Sequence, residues 1–137
     1  MINFLEQPEQ FKAVLKDKWL DYYQANRHWL QALMNESGNW YDRVSSYEEE
    51  ELEQLGYTDY SPSRLDDCFM FGVLSILEPQ IKGLFTLVPG SPDTYLKQLD
   101  LDFDPEIELK NRSLQQSQQQ INTESQYLDK IREEIKT

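Results

Sequence analysis

Cysteine, histidine, glycine and positive charge are all scarce in this chain of 137 residues, and each scarcity excludes something. The single cysteine, Cys68, cannot close an internal disulfide, so a secreted disulfide scaffold is excluded and a reducing, cytoplasmic setting is the default. The single histidine, His28, would have to be the base of any Ser-His-Asp or Cys-His machinery, and no nucleophile motif accompanies it. Five glycines, at 38, 56, 72, 83 and 90, never fall two within five residues, so neither a dinucleotide fingerprint nor a Walker loop can be written. Only 13 Lys and Arg stand against 25 Asp and Glu, a net charge of −12. Binding to nucleic acid requires a cationic face that displaces counterions, and an anionic membrane surface would repel this chain. Long apolar runs are also missing. The most apolar stretch, Cys68 to Leu77, has ten residues where a spanning helix needs about 20, so no transmembrane segment is expected. Met1–Glu6 has no basic region ahead of an apolar one, so no signal peptide is expected.

What is present is helical periodicity. From Pro8 to about Met34, the apolar positions Phe11, Val14, Leu15, Trp19, Tyr22, Tyr23, Leu30 and Leu33 mostly recur at three and four residues, and Ser37-Gly38-Asn39 ends the segment. Asn26 is a good N-cap, so either one long helix or two shorter ones fit this stretch. Residues 41–60 carry seven acids and one base, half of the net charge, around Glu48-Glu49-Glu50-Glu51-Leu52-Glu53. Like charges at helical spacing repel, so this acidic insert reads as irregular, with one short turn near Leu52 and Leu55. Three X-Pro pairs, Ser61-Pro62, Ser91-Pro92 and Asp104-Pro105, mark further helix starts. The first of these helices stops at Glu78, before Pro79, and a short one is expected over Pro79 to Leu87. No stretch alternates as a strand would. The expected fold is all-α: a domain of about four to five helices over residues 1–110, with the acidic insert at 41–60, then an extended, partly disordered or helical tail over 111–137.

That tail has its own pattern. Ile107, Leu114, Ile121, Leu128 and Ile135 recur every seven residues, but the second position of a coiled-coil seam reads Lys110, Ser117, Glu124 and Ile131. A glutamine-rich run, Gln115–Gln120, lies between. So narrow a stripe buries little when alone, and the tail is expected to order on binding, through Ile121, Leu128 and Ile135.

Candidate chemistry is thin. Asp100, Asp102 and Asp104 imitate the opening of an EF-hand, but Pro105 and Asn111 occupy the positions of its glycine and its bidentate glutamate, so a turn with Asp104 as helix cap is the better reading. Cys68, flanked by Asp67 and Phe69, reads as a buried core thiol. The glutamate run has no histidine or cysteine beside it, which argues against a tight transition-metal site. Aromatic residues crowd the first third. Trp19 reads as core, while Trp29 and Trp40 are candidate anchors for a protein partner.

The segment Lys16-Asp17-Lys18-Trp19-Leu20-Asp21-Tyr22-Tyr23-Gln24-Ala25-Asn26-Arg27-His28-Trp29-Leu30 resembles the N-terminal block of a family of small cyanobacterial proteins of unknown function. Ser61-Pro62-Ser63 with Val73-Leu74-Ser75-Ile76-Leu77-Glu78-Pro79, and Leu99-Asp100-Leu101-Asp102-Phe103-Asp104-Pro105, are similar to two further blocks of it. The resemblance covers about residues 10–110, departing at the acidic insert and leaving out the tail. It implies a cyanobacterial cytoplasm, the thylakoid surface and an accessory role in photosynthesis, and it carries no catalytic residue.

The expectation is therefore a non-enzymatic accessory or adaptor protein without a cofactor. Its partner would be another protein, such as a photosynthetic or thylakoid-surface complex, with weak self-association through the C-terminal helix. The rival is a small-ligand or pigment carrier with a cavity between the aromatic helix and the helix over 62–77.

Overall fold

The computed structural model describes residues 5–83 and 90–136, apart from the side chains of 135 and 136. Helix α1 runs unbroken from Pro8 to Ser37 and buries Phe11, Leu15, Trp19, Leu20, Tyr23, Leu30 and Met34. Asn26 does not interrupt it, because its side chain is consumed inside the helix. Nδ2 donates to the Tyr22 carbonyl at 2.9 Å and Oδ1 accepts from Trp29 Nε1 at 2.8 Å, leaving nothing to cap a second start. Gly38, at φ 68°, ends α1 in the left-handed conformation and donates its N–H to the Met34 carbonyl.

The chain then enters a two-residue strand, β1 (Trp40–Tyr41), and a short helix, α2 (Glu49–Gln54), that buries none of its residues. Strand β2 (Arg64–Leu65) pairs antiparallel with β1, Trp40 opposite Leu65 and Tyr41 opposite Arg64. The expected helical architecture stands with this two-residue pairing added to it, whereas one expectation is corrected: Ser61-Pro62 starts no helix. Residues 64 and 65 are taken by the bridge to β1, and helix α3 (Asp67–Leu77) begins only where Asp66 can cap it, accepting from the Phe69 N–H at 3.2 Å. Glu78 ends α3 as expected, and Lys18 of α1 reaches its C-terminus, 3.4 Å from the Leu77 carbonyl and 3.0 Å from the Glu78 carboxylate.

Helix α3 is apolar nearly all round but buries only Met70 and Leu74. Cys68 is exposed, contrary to the core reading. It lies two residues from Met70, and two residues turn a helix through more than half a circle, to the opposite face. Beyond it, Ile81 is buried and helical, while the rest of the helix expected to Leu87 lies outside the described residues. Helix α4 (Pro92–Gln98) has Ser91 as its N-cap, accepting from the Thr94 N–H, so the second Ser-Pro signal holds. Helix α5 (Pro105–Lys136) then runs 32 residues, about 48 Å. The chain divides into two compact units, residues 1–105 and 106–137. Nearly all of the net negative charge lies in the first: 19 acids against 8 bases, a net −11, compared with 6 against 5 in the second.

Candidate functional site

The most organised polar feature of residues 1–105 surrounds Arg64, which is fully buried. Pairing of β1 with β2 sets its guanidinium over the Tyr41 ring, 3.8 Å from the centroid. Nε donates to Asp102 at 2.7 Å, Nη1 to Asp67 at 2.6 Å and to the Leu65 carbonyl at 3.1 Å, and Nη2 to Asp93 at 3.1 Å. Asp93 also accepts from the Tyr41 hydroxyl at 3.2 Å and pairs with Lys97 at 3.1 Å. One cation thus ties β1, β2, the start of α3, α4 and the 99–104 turn. Beside it, buried Asp104 accepts through Oδ2 from the Tyr60 hydroxyl at 2.6 Å and the Ser63 N–H at 2.8 Å. Asp102 and Asp104 of the EF-hand-like run turn inward, whereas Asp100 takes a positive φ of 58° and stays exposed.

The electrostatics match a lock. Burial works against the Arg64 charge, but hydrogen bonds to Asp102 and Asp67 outweigh it, so the guanidinium is held above its ordinary pKa. Burial pushes the Asp93 carboxyl up, yet hydrogen bonds from Lys97 and Tyr41 and the charges of Lys97 and Arg64 hold it below its ordinary 3.8. Burial, then the charge of Asp93 and the bond to it, raises the Tyr41 phenol above 10.0. The signs are opposite at the two ends of the pH scale. Asp93 contributes stability above pH 3.8 that is lost as pH falls through its lowered value. Tyr41 contributes stability below pH 10.0 that is lost as pH rises through its raised one. Thermal melts should show a plateau between these limits, and Asp93→Asn should flatten the acid side. An acid limb identical to the wild type's would contradict the assignment.

The carboxylates of Asp67, Asp93 and Asp102 are engaged by the Arg64 guanidinium. Among the described residues, no group of three or more His, Cys, Asp or Glu is placed to hold a metal, and no helix is long and apolar enough to cross a membrane.

The residues singled out as partner-binding fall into separate places. Trp29 is 46% exposed on α1, its indole edge-on to Phe69 of α3 with centroids 6.4 Å apart. Trp40 is half-buried on β1 and donates from Nε1 to Asn35 Oδ1 at 2.6 Å, a local bond that fixes the corner after α1. Ile121 and Leu128 lie on α5, 58% and 53% exposed, in line with Leu114 at 52%. Ile107, the first member of the stripe, is buried, and the Ile135 side chain lies outside the described residues. Tyr127, 66% exposed, widens the stripe beside Leu128.

Sequence reasoning missed the Arg64 cluster. Its members span 61 positions, from Tyr41 to Asp102, and the legible signal was only a cation, Arg64, three residues before Asp67.

Among protein families, the model of DUF5331, a family of unknown function, matches residues 5–131. The match takes in the acidic insert and most of α5, further than the resemblance over 10–110 reached. No curated protein and no solved structure matches the chain.

Proposed function

We propose that this chain, which belongs to the DUF5331 family of unknown function, is a non-enzymatic accessory protein that works by binding another protein through helix α5. The observation that carries this reading is the line Leu114, Ile121 and Leu128. Three branched apolar side chains, each more than half exposed, repeat every seven residues, and every residue between Leu114 and Leu128 other than Ile121 and Tyr127 is polar or charged. Scattered surface leucines need no explanation, but a line held at one helical position over two heptads is a seam without its other half. A partner that supplies apolar side chains between these layers would complete it. Trp29 offers a second anchor on α1, of the residue type that dominates binding energies at interfaces. The cyanobacterial resemblance makes a photosynthetic or thylakoid-surface complex the partner to look for.

The test is capture from the native host with the wild-type chain and with Ile121→Asp/Leu128→Asp. The reading expects the double variant to keep its helix content and lose the captured partners, since each carboxylate would have to be desolvated in the seam. Recovery of the same partners in unchanged yield would refute it.

A further inference from the structure

We infer that the occupant of the α5 stripe is a second copy of α5, paired antiparallel about Ile121. This rests on the reading above that α5 binds protein: in the free chain the stripe covers itself, and a captured partner takes the place of the second copy.

Charge selects the surface. With a net −11 on residues 1–105, any contact between two copies of that unit works against like charge, whereas residues 106–137 are nearly neutral and free of charge altogether from Ser113 to Thr123. Two copies of α5 can approach over this stretch without electrostatic cost. Charge also selects the direction. Parallel pairing would set Glu124 against its own copy and would bring the two acidic units to the same end of the helix pair. Antiparallel pairing sets residue 106 of one chain opposite residue 136 of the other, so the points where the acidic units join are about 45 Å apart. That is several times the roughly 8 Å over which charge is felt at physiological salt.

The sequence of the face fits its own reverse. About Ile121, a two-fold axis places Leu114 against Leu128 of the other copy and Ile121 against Ile121, so every apolar layer meets an apolar layer. Between them, Ser117 falls opposite Ser125, two small side chains that allow close approach, and Gln118 opposite Glu124, an amide donor beside a carboxylate. The polar positions that spoil an ordinary heptad seam therefore become paired layers that specify direction. Three apolar layers spanning about 21 Å of helix fall short of the roughly 1,200 Å² of a standard stable interface. The pair is accordingly weak and reversible, a device that responds to local concentration.

Sedimentation equilibrium of the full chain across a dilution series should show a monomer–dimer equilibrium, with Ile121→Asp/Leu128→Asp raising the dissociation constant at least about tenfold. Direction is read by oxidation in a Cys68→Ser background. Leu114→Cys and Leu128→Cys chains should each give little disulfide dimer alone and a dominant mixed dimer when combined. Self-dimers of each variant with no mixed species would mean parallel pairing and overturn the inference. So would equal yields of all species, or a monomer at every concentration. A monomer whose double aspartate variant still loses its captured partners would overturn only self-pairing and leave the protein-binding reading standing. A monomer whose variant captures everything the wild type does would overturn both.

Discussion

Replacing Arg64 by methionine should destabilise the protein by roughly 3–5 kcal/mol, the cost of removing one partner from a buried ion cluster. The expectation does not rest on the ion pairs being intrinsically strong, because burying charge costs nearly as much as pairing returns. It rests on what is left behind. Without the guanidinium, Asp102, 8% exposed, keeps a carboxylate out of water with its closest cation gone, and β2, α4 and the 99–104 turn lose their common tie. Lysine should rescue poorly, since a single ammonium cannot fork toward Asp67, Asp93 and Asp102 while lying flat on the Tyr41 ring. Adding Asp102→Asn to Arg64→Met should recover part of the loss, because the orphaned charge disappears. Urea denaturation of the four chains measures all of this. A loss below about 1 kcal/mol for Arg64→Met, the range of an exposed ion pair, would show that the cluster is not a lock.

Trp19→Ala is the other large effect expected, again roughly 3–5 kcal/mol, from lost transfer energy and the cavity left between α1 and its neighbours. Trp19 is fully buried and lies against Tyr22 and Tyr23, with ring centroids 6.1 and 6.4 Å away. Its Nε1 has no hydrogen-bond partner among the described residues, so the indole contributes volume and not a bond. Trp19→Phe, which keeps much of the volume and removes the unpaired N–H, should therefore cost less than half as much. Denaturation midpoints decide between the two. A phenylalanine variant as unstable as the alanine one would mean that the N–H is bonded after all.

These two residues also mark how far a sequence can be read. Trp19 falls on a stripe repeating at three and four residues, and such a stripe states its own burial; the caps at Ser91 and Gly38 are legible too, because they act within a few residues of themselves. Cys68 was misread because α3 is apolar on every side, so periodicity could not say which side faces inward. Arg64 was invisible for a different reason. Its partners come from four segments that meet only in the folded chain, and nothing local distinguishes Asp102, which binds it, from Asp100, which faces solvent. The stripe of α5 sits at the other extreme: its spacing is plain in the sequence, and the structure adds that Leu114, Ile121 and Leu128 stand exposed on a continuous helix.

The central claim is a division of labour: residues 1–105 fold, and α5 associates. A chain ending at Asn111 tests it most directly, since it keeps the first unit and buried Ile107 while removing Leu114, Ile121 and Leu128. Thermal melting and sedimentation of this chain beside the full one should give nearly the same transition and a monomer at every concentration. Loss of the transition, or association undiminished without the stripe, would contradict the account.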